Sequence, residues 1–145
     1  GNGSLAMAVF SSMEARGIQL VTSHFNSLIS TSLSSRNLLT AISLYEVMKN
    51  SENYKPDSTT YNAFISAYAK SRDLEAAEYW LSAKRGCGFP DDSESYEALI
   101  QCCFNAKKFH DAERHYEEMI SAGVLPTESI FTNMVKIFCE EKKKK

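Results

Sequence analysis

Residues 58–78 read STTYNAFISAYAKSRDLEAAE. Tyr61, Phe64, Ile65 and Tyr68 are spaced three and four apart, which places them on one face of a helix with 3.6 residues per turn. Ser71-Arg72-Asp73 breaks the stripe with a short polar turn. Ala77 then marks the buried point of a second helix. Ser58, Thr59 and Thr60 precede the first helix, as Ser93 does one unit later, and are expected to supply N-cap oxygens for its unpaired N–H groups. The segment is therefore a helix-turn-helix, and a single pair of this kind cannot bury its apolar face alone.

The same pattern recurs along the chain. Phe25-Asn26-Ser27-Leu28-Ile29 returns as Tyr61-Asn62-Ala63-Phe64-Ile65, as Tyr96-Glu97-Ala98-Leu99-Ile100 and as Phe131-Thr132-Asn133-Met134-Val135, in steps of 36, 35 and 35 residues. A second register runs out of phase with the first. Ala6, Ala41, Ala77 and Ala112 are spaced 35, 36 and 35 apart. Met13, Met48 and Met119 follow three of them by seven residues, with Lys84 at the fourth place. Gly17, Gly88 and Gly123 close three of the units, and Pro56, Pro90 and Pro126 reset the chain, because proline lacks the N–H that would continue a helix. Two registers at one period point to repeat architecture.

The fold class expected is all-α: a solenoid of stacked antiparallel helix pairs with the first helices on the concave side. One domain covers 1–145, with full repeats over 22–57, 58–92 and 93–127 and partial repeats over 1–21 and 128–145. A lone second helix is expected from Ser4 to Arg16, and a closing first helix from Glu128 to Glu141 followed by a solvated lysine tail. At least seven helices and no strand are expected. The closing helix carries Ile130, Phe131, Met134, Val135, Ile137 and Phe138, a wide apolar face that invites a homodimer or a larger assembly.

Composition narrows the function. The chain is 43% hydrophobic and 23% charged with a formal charge of -2, so any nucleic-acid contact must come from local groups rather than a global positive field. No run approaches the roughly 20 apolar residues that span a bilayer. The four cysteines form no Cys-x-x-Cys pair and read as packing residues in a reducing compartment. His110 and His115 are five residues apart, which does not put two ligands on one helix face, and they are expected to be solvated or capping. Asp91-Asp92 and Glu117-Glu118 read as caps or solvated faces. No enzyme centre, cofactor or metal site is expected.

A period of 35 with Tyr-Asn-x-φ-Ile, then Ala and Met at fixed offsets and a Gly-x-x-Pro-like stop, resembles the pentatricopeptide repeat family in its plain, uniform-length form. Tetratricopeptide repeats have a period of 34 and a Trp in the first helix, whereas Trp80 falls in a second helix. The resemblance implies a right-handed superhelix that binds single-stranded RNA at one base per repeat, in a chloroplast or a mitochondrion, during RNA processing, splicing, stability control or translation. It makes the fifth and last residues of each repeat the base readers: Asn26 with Asp57, Asn62 with Asp92, and Glu97 with Thr127, with Thr132 alone in the last partial repeat. In the family the Asn/Asp pair looks for uracil, and cytosine less well; no base is assigned to the other two. The second residues, Ser23, Thr59 and Glu94, would flank the base, and Lys70 would meet phosphate.

The second repeat is the best-preserved reader on this basis. Asn62 and Asp92 are expected on the accessible inner surface. Stacking contributes about 1–3 kcal/mol per base, which barely outweighs an association cost of roughly 4 kcal/mol or more, so this chain alone should bind RNA weakly. Two alternatives stay open. Asn26 and Asn62 could be plain helix-entry residues, and the concave surface could hold a protein segment instead of RNA.

Overall fold

The structure is a computed structural model, and it describes residues 8, 22–52 and 54–143. Among the described residues it is all-α, with no strand and seven helices: α1 (Thr22–Ser34), α2 (Leu38–Lys49), α3 (Ser58–Lys70), α4 (Leu74–Gly86), α5 (Ser93–Asn105), α6 (Phe109–Ser121) and α7 (Glu128–Lys143). The helix expected from Ser4 to Arg16 lies outside the described residues. The chain forms two compact units, Gly1–Ala63 and Phe64–Lys145, with the division inside α3.

In the first unit α1 packs against α2. Phe25, Ile29 and Leu33 on α1 meet a core that includes Ala41, Leu44, Tyr45 and Met48 on α2. Ala41 sits at the crossing with no exposed surface, and a larger side chain there would force the helices apart. Tyr61 closes this core and shares a hydroxyl–hydroxyl hydrogen bond of 3.1 Å with Tyr45. Tyr54 stacks on Phe25 at 4.5 Å, so the inter-repeat loop is tied down by an aromatic contact.

In the second unit α5 touches α4, α6 and α7, and α6 touches α7. Trp80 lies flat on Phe64, with ring centroids 3.9 Å apart. Tyr96, Leu99, Ile100, Cys102 and Cys103 put much of α5 into the core, as expected of a helix flanked by partners on several sides. Truncating Leu99, which has no exposed surface, to Ala should cost about 2–5 kcal/mol.

Five helix ends follow one rule. Asn37 N–H donates to Ser32 O, Asp73 N–H to Tyr68 O and Lys108 N–H to Cys103 O. Each closes a helix through a residue with positive φ: Arg36 at 61°, Arg72 at 62° and Lys107 at 60°. Gly88 and Gly123 do the same after α4 and α6, with φ of 88° and 79°. The left-handed residue turns the chain so that orphan carbonyls of the last turn are satisfied.

Three details differ from expectation. The N-caps of α3 and α5 are aspartates, not the serines and threonines after them. Thr60 N–H donates to Asp57 Oδ1 at 3.1 Å and Ser95 N–H to Asp92 Oδ1 at 2.9 Å. Ser58 and Ser93 are already the first helical residues, and a carboxylate gains from the positive end of the helix dipole as well. His115 is not solvated: it is 2% exposed, with Nε2 2.6 Å from Glu78 Oε2. It falls three residues after the buried Ala112, on the same face of α6. Finally, α7 runs two residues past Glu141, so Lys142 and Lys143 lie in its last turn, where cations favour the helix C-terminus. On α7, Ile130, Met134 and Ile137 are buried, while Phe131, Val135 and Phe138 are exposed.

Candidate nucleic-acid interface

The last residue of each repeat is the cap of the next repeat's first helix. In the first and third repeats that position brings it back beside the fifth residue of its own repeat. In the first unit Asn26 Nδ2 donates to Asp57 Oδ1 at 3.0 Å. Thr60, fully buried, donates its hydroxyl to Asn26 Oδ1. Thr60 Oγ1 also accepts from Asp57 N–H at 3.1 Å, completing a reciprocal cap of the capping-box type. The network fixes which side of the amide is nitrogen and which oxygen. Asp57 Oδ1 takes part in these bonds and Oδ2 in none of them.

In the second unit Thr127 Oγ1 donates to Glu97 Oε2 at 3.1 Å. The same oxygen accepts from Ile130 N–H at 3.3 Å and so caps α7. The fifth and last residues are therefore bonded in the first and third repeats, although the chemistry differs: amide to carboxylate in one, hydroxyl to carboxylate in the other.

The remaining sequence candidates divide by exposure. Ser23, Thr59 and Glu94 are all exposed at the second position of their repeats. Lys70 is exposed in the last turn of α3. Thr132 is exposed, but its hydroxyl donates to Glu128 O of its own helix at 2.9 Å. Asn62, expected on the inner surface, is instead buried at 8% exposure, and Asn26 is buried at 9%. For Asn26 the reason is visible: its amide is drawn into the cap of the following helix. Asn62 lies in the first unit and Asp92 in the second.

Residues the sequence reading did not assign complete the surroundings. Lys84 has no exposed surface, and its Nζ donates to Asp92 Oδ2 at 2.8 Å and to Ser95 Oγ at 3.1 Å. Its place in the Met13–Met48–Met119 series was the available signal, because a charge in a core position requires a partner. Asn133 Nδ2 donates to Gln101 Oε1 at 2.9 Å across α7 and α5. Among the described residues no cluster of three or more His, Cys, Asp and Glu side chains could hold a metal ion, and no helix is long and apolar enough to cross a membrane.

The family model described as "Pentatricopeptide repeat-containing protein" matches residues 1–119. The chain belongs to the pentatricopeptide repeat family. A chloroplastic pentatricopeptide repeat-containing protein of Arabidopsis thaliana is 33% identical over 78 residues, 54% of this chain and 11% of that protein. A chloroplastic PPR5 homolog of Oryza sativa subsp. japonica is 38% identical over 79 residues, 52% of this chain and 16% of that protein. This chain thus spans only a small part of the curated relatives it matches. Among solved structures, the pentatricopeptide repeat protein PPR10 from maize superposes with a TM-score of 0.81 at 24% identity, covering 96% of this chain and 20% of that one. The PPR domain of Arabidopsis thaliana protein-only RNase P 1, solved in complex with tRNA, gives 0.75 at 16% identity, covering 99% and 75%. At these identities the likeness shows the fold, a stack of antiparallel helix pairs in the pentatricopeptide manner.

Proposed function

We propose that this chain is a helical-repeat module that binds single-stranded RNA and acts in a chloroplast or mitochondrion, in RNA processing, splicing, stability or translation. The observation that carries the reading is the bond between the fifth and last residues, Asn26 with Asp57 and Glu97 with Thr127. Each pair sets a donor and acceptor pattern at a fixed interval along the repeats, which is what reading one base per repeat requires. Asn62 and Asp92 are the fifth and last residues of the second repeat. Ser23, Thr59 and Glu94 would flank the bases, Lys70 would meet a phosphate, and Thr132 would serve the partial repeat. Further support comes from PPR10, solved in complex with an 18-nt RNA element, and from relatives named chloroplastic and mitochondrial.

The net charge of -2 favours a second reading, in which the same surface holds a protein segment. One experiment separates the two. The purified chain is titrated with randomised single-stranded RNA at two salt concentrations. RNA binding with a negative salt slope supports the first reading, because phosphate contacts release counterions. Absence of binding at both concentrations overturns it and leaves the scaffold.

A further inference from the structure

The second repeat differs from its neighbours at one buried position. Met48 and Met119 occupy the seventh place after the crossing alanine in the first and third repeats, both without exposed surface. Lys84 stands there in the second, equally buried. A buried ammonium is costly unless it is paired and hydrogen-bonded, and Lys84 is both. Its Nζ reaches Asp92 Oδ2 at 2.8 Å and Ser95 Oγ at 3.1 Å. Asp92 Oδ1 meanwhile accepts from Ser95 N–H at 2.9 Å. Each oxygen of the Asp92 carboxylate is thereby held from behind, while 38% of its side chain remains exposed. In the first repeat Asp57 is held through Oδ1, and Oδ2 takes part in none of the bonds of that network.

Resting on the RNA-binding reading above, we infer that Lys84 is a positioning residue that fixes Asp92 as a rigid, acceptor-only contact, so that the second repeat selects RNA bases whose edge donates a proton at the ring nitrogen. An ion-paired carboxylate accepts hydrogen bonds and donates none. Uracil offers N3–H and guanine N1–H at that edge, whereas cytosine N3 and adenine N1 only accept. A contact already ordered in the free protein also loses less on binding. Without the lysine Oδ1 still accepts from Ser95 N–H but Oδ2 loses the ammonium, so the carboxylate is held less firmly and discriminates less between the two kinds of edge.

The test compares binding of short oligouridylate and oligocytidylate to the whole chain and to Lys84→Met, the side chain found at this place in two other repeats. Helix content by circular dichroism verifies folding. The uridylate-to-cytidylate affinity ratio should fall by about threefold to tenfold, the discrimination carried by one hydrogen bond. A double-mutant cycle with Asp92→Asn supplies the readout that a merely structural lysine would not move: in the Asp92→Asn background, Lys84→Met should leave the ratio unchanged. If Lys84→Met does not fold, Asp92→Asn alone must lower the ratio. An unchanged ratio in the folded Lys84→Met chain, or an equal fall in the Asp92→Asn background, overturns the role of Lys84. If the unsubstituted chain binds neither oligonucleotide, the RNA-binding reading itself fails, and this inference fails with it.

Discussion

Arg85 holds Asp91 with two parallel bonds, Nε to Oδ1 at 2.8 Å and Nη2 to Oδ2 at 3.1 Å. The same Nη2 lies 2.8 Å from the Tyr96 hydroxyl and 3.0 Å from Glu118 Oε1, so the guanidinium of α4 ties the inter-repeat loop to α5 and α6. The geometry is bidentate, the arrangement in which Arg-carboxylate pairs are strongest. The bond from Arg85 holds the Asp91 carboxyl below its ordinary value of 3.8, and burial pushes the Tyr96 hydroxyl up to about 12.

Acid should therefore weaken the second unit. A depressed aspartate contributes stability above its unfolded value and loses it as pH falls through the folded one. Asp91→Asn should cost about 1 kcal/mol at neutral pH. The gap between the two chains should begin to narrow as pH approaches 3.8 and close as it falls through the lowered folded value. Urea denaturation followed by Trp80 fluorescence reads this unit directly, because Trp80 is 6% exposed and stacked on Phe64. A gap that persists unchanged at acid pH would mean that Asp91 acts through packing and not charge.

Thiol chemistry should split the four cysteines evenly. Cys87 and Cys139 are exposed, Cys102 and Cys103 buried. Burial raises both buried thiols, Cys103 to about 12, which suppresses the reactive thiolate. A colorimetric thiol reagent should label two groups in the native chain and four after denaturation. Rapid labelling of all four would contradict the packing of α5.

The repeat and the helix pairs were legible because two apolar registers share one period, from Phe25 to Phe131 and from Ala41 to Ala112. The family resemblance paired Asn26 with Asp57, and the two are bonded. Local sequence could not tell that Asp57 caps α3 while bonding Asn26, since that contact needs residues 31 apart to meet. Lys84 was visible only as an odd member of a methionine series. His115 was misread as solvated because a lone histidine carries no sign of Glu78, which lies 37 residues before it. Burial of the Asn26 amide was illegible for the same reason: it depends on the cap of the following helix.

The left-handed helix ends give paired predictions of opposite sign. Lys107 and Gly123 both sit at positive φ, 60° and 79°, after α5 and α6. A non-glycine residue there costs roughly 1–2 kcal/mol, offset in part by the greater freedom of glycine in the unfolded chain. Lys107→Gly should thus stabilise by up to about 1 kcal/mol, and Gly123→Ala should destabilise by about 1 kcal/mol. A methyl group at Gly123 would meet nothing within 4 Å, so backbone strain is the only cause available. Chemical denaturation of both variants decides it. If both destabilise, backbone conformation is not what governs these two turns.

Asp57 performs two tasks that one substitution can separate. Its Oδ1 caps α3 through Thr60 N–H and also accepts from Asn26 Nδ2. Serine caps helices about as well as aspartate but has no carboxylate to place beside the amide. Asp57→Ser should leave stability within about 0.5 kcal/mol of the unsubstituted chain, while Asp57→Leu should cost about 1 kcal/mol through the lost cap. Both should weaken the preference for oligouridylate, since both remove the acceptor that orients Asn26. Thermal melts give the first quantity and fluorescence anisotropy with labelled oligonucleotides the second. Should Asp57→Ser keep the full preference, the carboxylate is a cap and nothing more, and base reading at the first repeat would have to be carried by Asn26 and Thr60 alone.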